Sequence, residues 1–249
     1  MVASSVYLSA IDQERFGIRT ARTQLVTFDT LASVIDFCRR NKVVLLIARC
    51  LASDLRTAQA MEQQGFLLMG TLVYCARDLV QTPIPPDAGQ VPIRPIRPGE
   101  ENEVKRVAAE AFRGYLGHYH ADRRLDRTKC DEAYISWAFR SCMSREVADE
   151  VLVADLQGSI VGFGTLRLNS SEEGEGVLFG VVPSAQRRGV FRSLMIHGMA
   201  WCLSKGATRM VYSTQISNVA VQKVWTRLRF EPTHAYYTFH RWFEQEAPR

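Results

Sequence analysis

Apolar residues along the chain recur with two spacings, and these predict a succession of strands and helices. Runs of consecutive β-branched and aromatic residues are typical of buried strands. They predict strands over 42–48, 66–75, 91–96, 151–154, 160–168, 174–182, 209–214 and 234–243. Apolar residues three and four positions apart are typical of helices that bury one face. They predict helices over 27–40, 53–64, 100–112, 131–141, 190–204 and 217–228.

Two stretches have no clear period. Residues 6–26 mix short apolar runs with charges and predict only a turn at Gly17. Residues 114–130 are polar and aromatic, so we expect a loop there. Binding residues tend to lie on loops that a rigid scaffold holds in place, which makes this loop a candidate binding segment.

Prolines divide the chain into two parts. Residues 82–98 contain six prolines, a composition typical of a linker that leads into a short strand. We therefore expect a small N-terminal α/β domain over 1–81, a Pro-rich linker over 82–90 and a larger domain over 91–249.

One internal repeat is visible. The segment Ser53–Phe66 aligns without gaps with Ser217–Phe230, which lies 164 residues further on. Each copy follows a predicted strand and precedes another, so the pattern predicts one β-α-β unit in each half. Few identities support the alignment, and chance similarity is the alternative.

Charge and composition narrow the function classes. The formal net charge of +5 suits anionic small molecules and is too small to indicate nucleic acid by itself. No run of about 18 apolar residues exists, so no transmembrane helix is expected. The first ten residues lack the features of a signal peptide, and the six cysteines show no C-x-x-C spacing. We expect a cytoplasmic protein with reduced thiols and no metal site.

The segment from Phe179 to Arg192 predicts an anion site. A buried strand ends at Pro183, which has no N–H for a strand ladder, and Gly189 opens the following helix. Free N–H groups at a helix N-terminus stabilise an anion. Arginines at 187, 188 and 192 add positive charge, so the segment predicts phosphate or pyrophosphate binding. It is neither a Walker loop nor a three-glycine dinucleotide fingerprint.

These residues resemble a known family. The sequence Gln186-Arg187-Arg188-Gly189 after a Val-Val-Pro strand end is similar to the cofactor loop of the GNAT N-acyltransferases, Arg/Gln-x-x-Gly-x-Gly/Ala. Phe191 departs from this pattern, since it stands where Gly or Ala is usual. The order of elements over 91–243 also resembles the family. The first half, with Arg15-Phe16-Gly17 and Gln64-Gly65-Phe66, is similar to the two-domain members that acetylate dTDP-fucosamine.

The resemblance implies both fold and reaction. The expected fold is α/β (α+β), a GNAT-like mixed, mostly antiparallel twisted sheet flanked by helices and preceded by a smaller α/β domain. The expected co-substrate is acyl-CoA, with acetyl or a larger short-chain acyl group such as hydroxybutanoyl. The expected acceptor is the amino group of a dTDP-linked amino-dideoxysugar, which attacks the thioester directly. Neither nucleic acid nor a membrane is an expected partner, and a homodimer stays open.

The resemblance also implies a set of cofactor contacts. Val181 is expected to offer its N–H to the thioester oxygen, and Asn218 to contact the pantetheine arm. The full predicted set is Phe179, Gly180, Val181, Val182, Gln186, Arg187, Arg188, Gly189, Val190, Phe191, Arg192 and Asn218.

The sequence offers several candidates for the acid and the base. Trp225 stands where the family commonly has a tyrosine that protonates the leaving thiolate, and an indole is no useful acid. Trp225 is a catalytic candidate by its position, although packing or a cofactor-wall contact is the favoured interpretation, and Tyr236, Tyr237 or Tyr212 are alternative acids. His118, His120 and Asp122 are the candidates for taking the proton of the sugar ammonium or for binding the sugar, and His120 is the predicted base. Glu175 acting through water is the alternative. The predicted sugar contacts are Tyr115, His118, Tyr119, His120, Asp122 and Glu175, for which surface polarity or core packing is the alternative.

Other functions stay open. The first alternative is acetylation of another amine, such as an aminoglycoside, a polyamine or a protein N-terminus. A CoA-binding regulatory module without catalysis is a second alternative, because Trp225 replaces the usual acid. Nucleic-acid binding is the weakest of the three.

Overall fold

The computed structural model describes residues 6–88 and 91–243. The first five residues of the predicted N-terminal domain, residues 89 and 90 of the predicted linker and the last six residues lie outside this part. The strands are β1 Val6–Leu8, β2 Thr20–Thr23, β3 Leu45–Leu51, β4 Leu67–Asp78, β5 Ile93–Pro95, β6 Glu150–Leu156, β7 Ser159–Leu168, β8 Glu173–Val181, β9 Arg209–Gln215 and β10 Glu231–Trp242. The helices are α1 Ala10–Phe16, α2 Leu31–Arg40, α3 Leu55–Gln63, α4 Glu101–Ala111, α5 His118–Ala121, α6 Arg127–Met143, α7 Val190–Ser204 and α8 Val219–Arg227.

The ten strands of the described residues form one sheet, in the order β1-β2-β3-β10-β4-β9-β8-β7-β6-β5. The pairs β2–β3 and β8–β9 are parallel, and the other neighbouring pairs are antiparallel. Helices flank this sheet. The predicted fold class, a mixed and mostly antiparallel sheet with helices around it, is thereby confirmed. No helix of residues 6–88 or 91–243 is both long and apolar enough to span a bilayer.

The two segments for which the sequence predicted no helix or strand contain regular structure. The segment 6–26 holds β1, α1 and β2, and the segment 114–130 holds α5 and the first residues of α6. α1 is capped by Ser9, whose hydroxyl accepts from the N–H of Asp12, and it ends at Gly17 with φ of 70°. Helices of one or two turns are too short to show a helical period, which is why the sequence pattern missed them.

The two β-α-β units exchange their last strands. β3 leads through α3 into β4, and β9 leads through α8 into β10, yet neither pair of strands is adjacent in the sheet. Instead, β10 pairs with β3, and β4 pairs with β9. β4 and β10 also pair with each other, so the two exchanged strands lie side by side at the centre.

The internal repeat is confirmed element by element. Each element of the second unit begins 164 residues after its counterpart: Leu45 and Arg209, Leu55 and Val219, Leu67 and Glu231. The caps also agree, since a side-chain oxygen of Asp54 accepts from the N–H of Thr57 and Asn218 accepts from that of Val221. Sequence identity is low because the repeat conserves packing and capping, for which several residue types suffice.

The core has two sides at the N-terminal part of the sheet. Phe239 of β10 packs with Val34 of α2 and Met61 of α3 on one side. Tyr119 of α5 packs with Ile47 of β3 on the other. Side chains alternate along a strand, so β10 serves both sides. The predicted domain boundaries stay a prediction, although the shared sheet shows that residues on both sides of the linker build one layer.

Because three strand ladders join residues before and after the linker, we expect the two parts to stay together when the linker is cut. A specific protease site placed within 82–90 should give two fragments that co-elute on size exclusion and separate only in denaturant. The intact chain without the site, treated with the same protease, is the control. Fragments that elute separately as folded proteins would contradict the strand exchange.

Candidate active site

The sheet opens between β8 and β9. These parallel strands pair only over Glu173–Gly176 and Arg209–Tyr212, although β8 runs on to Val181 and β9 to Gln215. A register shift between β7 and β8 marks a bulge close to the point where this pairing stops, and bulges bend strands. An opening therefore forms between the C-terminal ends of β8 and β9, and we call it the gap.

Backbone donors of β8 face the gap. The N–H of Val182 donates to the carbonyl of Val161 on the β7 side, at 2.9 Å. Consecutive strand residues point their N–H groups to opposite edges, so those of Val181 and Phe179 point toward β9. A ligand in the gap meets these two N–H groups as hydrogen-bond donors.

The loop after β8 exposes further N–H groups at the mouth of the gap. Pro183–Ala185 forms a 3-10 turn, and Arg187 and Gly189 have φ angles of 62° and 81°. Left-handed residues in such a loop turn neighbouring N–H groups toward one concavity, which binds anions, and the first turn of α7 adds its own free N–H groups. The side-chain amide of Gln186 donates to the carbonyl of Val181 at 3.2 Å and holds the loop against the strand end.

The arginines of this loop differ in their surroundings. Arg187 and Arg188 are exposed and have no partner among the residues that the structure describes. Arg192 lies 4.0 Å from Asp87, to which Ser193 also donates at 2.8 Å. Part of the charge of Arg192 is thus offset, whereas Arg187 and Arg188 are open to an anion.

A cleft of about 1250 Å³ lies on the sheet and reaches into the gap. Pockets for one small ligand measure about 300–1,000 Å³, so this cleft has room for parts of two substrates. Tyr236 of β10 pairs with Leu72 of β4, and Leu72 pairs with Gln215 of β9. These three residues share one face of the sheet and all line the cleft, so the exchanged strands form its floor.

One wall of the cleft is cationic. It carries Arg15, Arg22, Arg49 and Arg140. Burial would raise the pKa of Asp12, but the hydrogen bond and charge of Arg22 hold this pKa below its usual value. Arg15 lies 3.8 Å from the same carboxylate.

Arg49 and Arg140 have no ion pair with any described residue, whereas Arg15 and Arg22 share Asp12. The Arg49 guanidinium donates to the side-chain oxygen of Gln24 at 3.1 Å. Burial lowers its pKa. A half-buried guanidinium without an acidic partner favours a negative ligand, so the position of Arg49 is suited to an anion in this part of the cleft.

Of the predicted acid candidates, Trp225, Tyr212 and Tyr236 all line the cleft, and they differ in how far they are buried. Trp225 is 2% exposed, lies 5.9 Å from the Tyr212 ring, and its indole N–H has no partner among the described residues. Tyr212 is also buried, and burial raises its pKa strongly. Tyr236 lines the cleft with its pKa raised by burial, whereas Tyr237 packs into the core on the opposite side.

Asn218 has a structural task as well. Its side-chain oxygen caps α8 and its amide donates to the Thr214 hydroxyl at 3.1 Å. Asn218 lines the cleft near the gap, in keeping with the predicted pantetheine contact, which stays a prediction.

The predicted sugar contacts separate into two groups. Tyr115, His118, Tyr119 and Glu175 line the cleft, and Glu175 binds Arg167 at 2.7 Å. His120 does not line it. Its ring accepts from the N–H of Gly117 and contacts Asp131 at 3.0 Å.

Asp122 also lies behind the cleft wall, where it contacts His240 at 2.7 Å. The catalytic role of His120 stays a prediction, and His118 is the better placed of the two histidines.

Sequence reasoning missed several site residues. The cleft arginines at 22, 49 and 140 and the buried His240 were not singled out. The one signal in the sequence is Arg49, a charge within the apolar run Leu-Leu-Ile-Ala-Arg-Cys-Leu. Charged residues are rarely buried unless they have a partner, so an arginine in a buried strand indicates a partner or a ligand at this position.

Residues 112–230 match the model of the Acetyltransferase (GNAT) family. This range is slightly less than half of the chain, and it contains β8, the anion loop, α7, β9 and α8. The match confirms the prediction of a GNAT-type N-acyltransferase.

Individual relatives are distant. A mycothiol acetyltransferase of Saccharopolyspora erythraea is 30% identical over 80 residues, which is 32% of this chain and 26% of that protein. The spore coat polysaccharide biosynthesis protein SpsD of Bacillus subtilis is 22% identical over 207 residues, 81% of this chain and 68% of that protein. A tandem GNAT protein from the clavulanic acid biosynthesis pathway superposes with a TM-score of 0.65 at 14% identity, over 93% of this chain and 77% of that one. This last similarity shows the fold.

The pairing of β8 and β9 ends at Gly176 and Tyr212, and the contact between these two residues can be tested. A Cβ on Gly176 would overlap the ring of the buried Tyr212, so Gly176→Ala should destabilise the fold by about 1–3 kcal/mol. It should also weaken CoA binding, because Tyr212 has to move at the point where β8 and β9 separate. Chemical denaturation and CoA titration measure the two effects.

The combined variant Gly176→Ala/Tyr212→Leu should lose less stability than the two single changes added together, since the smaller side chain removes the overlap. Strict additivity would show that the contact between positions 176 and 212 is not the cause.

Proposed function

We propose that this protein transfers an acyl group from acyl-CoA to the amino group of a nucleotide-linked amino-dideoxysugar, with dTDP as the nucleotide. The observation that carries the proposal is the gap between β8 and β9. It has an anion-binding loop at one mouth and opens into a cationic cleft. Acyl-CoA and an anionic acceptor would then meet beside the backbone N–H groups of Val181 and Phe179.

The donor half of the proposal rests on the loop. Its N–H groups suit the CoA pyrophosphate, and the exposed Arg187 and Arg188 suit the phosphates at its rim. The pantetheine arm lies in the gap, where the N–H groups of Val181 and Phe179 are donors for the thioester oxygen. Phe191 packs against Phe179 with ring centroids 6.0 Å apart, so aromatic rings border the acyl site. Acetyl and larger acyl groups such as hydroxybutanoyl both stay candidates.

The acceptor half rests on the cleft wall. Arg49, Arg140 and Arg15 are suited to the diphosphate of a nucleotide sugar, because guanidinium groups bind phosphate oxygens in pairs. Tyr134 stacks on Phe112 and packs edge-on against Tyr115, each at 5.0 Å between ring centroids. This aromatic surface suits a deoxysugar methyl group or a nucleotide base. The name of the relative SpsD places that protein in polysaccharide biosynthesis, which supports an acceptor of the sugar class.

The thiolate of CoA can leave without a residue that protonates it. A thiol has a pKa of about 8.5, so its thiolate departs without an obligatory acid. Tyr236 is the cleft phenol proposed to return the proton to the thiolate. Trp225 is proposed as a wall of the cofactor site.

A different small amine is the second candidate. The 30% identity with a mycothiol acetyltransferase favours it, although the match covers only about a quarter of that relative. A CoA-binding module without catalysis is the third, because Trp225 occupies the usual acid position.

The central expectation is that purified protein releases free thiol from acyl-CoA only when an amino-sugar nucleotide is present. A panel of acyl-CoAs and amines, read by thiol release and by product mass, measures it. Turnover with another amine and none with nucleotide sugars would contradict the proposed acceptor but support the N-acyltransferase activity. Tight CoA binding without any turnover, unchanged by Trp225→Tyr, would favour the regulatory module.

The cationic wall gives a second expectation. Arg49→Gln should raise the KM for the nucleotide sugar about 10–100-fold, since a hydrogen bond to a charged group contributes about 1.5–3 kcal/mol. The KM for acyl-CoA should change little, because Arg49 lies outside the anion loop. Arg56→Gln is the matched control, as Arg56 is exposed on α3 and lies over Phe28. Equal effects of both changes would assign the loss to overall charge.

A further inference from the structure

A chain of hydrogen bonds runs from the cleft into the protein interior. His118 Nδ1 lies 2.9 Å from His240 Nε2, and His240 Nδ1 lies 2.7 Å from Asp122 Oδ2. The indole N–H of Trp242 donates to the same carboxylate oxygen at 2.8 Å. The backbone N–H of Arg124 donates to Asp122 Oδ1 at 3.1 Å. All three members are buried, with exposures of 7% for His118, 1% for His240 and 5% for Asp122.

The donors fix the direction of this chain. Burial would raise the pKa of Asp122, but its hydrogen bonds, first that of His240, keep the pKa below the usual value. The carboxylate is therefore ionised and only accepts, so His240 carries its proton on Nδ1. His240 Nε2 then accepts the proton of His118 Nδ1. The lone pair of His118 is left on Nε2.

Nε2 of His118 is the free end of the chain. It has no hydrogen-bond partner within the described ranges 6–88 and 91–243, and the ring of His118 lines the cleft. Tyr115, three residues before it, also lines the cleft and is paired with Thr214 of β9, at the gap. A base on this segment thus belongs to the cavity in which acyl transfer is proposed.

We propose, on the premise that the protein is an N-acyltransferase, that His118 takes the proton of the acceptor ammonium and that His240 and Asp122 pass on and stabilise the resulting charge. One proton of the ammonium first moves to His118 Nε2, and the Nδ1 proton of His118 moves to His240 Nε2. The neutral amine nitrogen then attacks the thioester carbonyl carbon, the new C–N bond forms, and the C–S bond breaks. The thiolate leaves with the electron pair and takes a proton from Tyr236 or water, and the second proton of the nitrogen replaces the one that Tyr236 or water gave up.

The surroundings explain why a relay is needed. The charged and titratable groups that face His118 are His240 on β10, Arg22 on β2, Arg49 on β3, and His120 and Tyr119 on α5. Burial lowers the pKa of His118 well below its usual value, and the neighbouring His240, Arg22 and Arg49 lower it further. His118 is thus a free base at neutral pH but cannot keep a proton. The Asp122 carboxylate lies 2.7 Å from His240 Nδ1 and attracts the positive charge that passes to this end of the chain.

The decisive variant is His118→Ala, assayed with the amine that the wild-type protein uses best. We expect kcat to fall about 10²–10³-fold, as for loss of a general base, and the KM for acyl-CoA to stay within about twofold. The deficit should be largest at low pH and shrink as pH rises, because the acceptor then arrives already deprotonated. Added imidazole should restore part of the activity, since the vacated space opens to the cleft.

Variants of the relay separate positioning from folding. Asp122→Asn keeps the shape of the side chain and should lower kcat about tenfold or more with an unchanged KM for acyl-CoA. Trp242→Phe removes one donor to the carboxylate and should have a smaller effect of the same kind. His197→Gln, a half-exposed histidine on α7, is the control and should keep the wild-type pH profile.

The outcomes separate this inference from the function on which it rests. No turnover by the wild-type protein with any amine would overturn the proposed function. A wild-type enzyme whose His118→Ala variant keeps its kcat at all pH values would overturn the relay alone. A loss that imidazole does not relieve and that comes with weaker acyl-CoA binding would make His118 a structural residue, which also overturns the relay.

Discussion

The exchange of β4 and β10 is the constraint on which the site depends. β9 is held along its length by β4, from Leu72 with Gln215 to Asp78 with Arg209. β8 is held by β7 up to Gly162 with Val181. β9 thus pairs along its length with β4, and β8 pairs along its length with β7, while β8 and β9 pair with each other over only four residues. The ladders on both sides prevent the gap from closing, so the donors that face it are fixed before any ligand binds.

The exchange also decides what lines the cleft. β10 begins in the second β-α-β unit but lies beside β3 of the first, so Tyr236 shares the cleft with Arg49. His240, four residues further along the same face of β10, reaches Asp122 behind α5. If β10 lay beside β9 of its own unit instead of beside β3, Tyr236 and His240 would not reach Arg49 and Asp122. The exchange of strands therefore brings together the cationic wall, the floor of the cleft and the hydrogen-bonded chain of His118, His240 and Asp122.

The sequence predicted the local elements and the loop well, because these depend on neighbouring residues. The strand end at Pro183, the helix from Val190 and the cap at Asn218 all follow from residues within a few positions. The pairing of strands did not follow, since period-2 patterns say which face is buried and not which strand lies alongside. The relay joins positions 118 and 240, and nothing in the pattern around either histidine points to the other.

The repeat explains why only one of the two units has a gap. β2 pairs in parallel with β3 over four residues, Thr20–Thr23 with Leu45–Ala48, as β8 does with β9. Beyond this point in the first unit, however, the N–H of Val26 donates to the carbonyl of Arg49 at 2.7 Å. The chain after β2 thus returns to β3 and fills the position where the second unit is open. With its own gap closed, the first unit has no open row of strand N–H groups, and Arg49, next to the closure, lines the cleft.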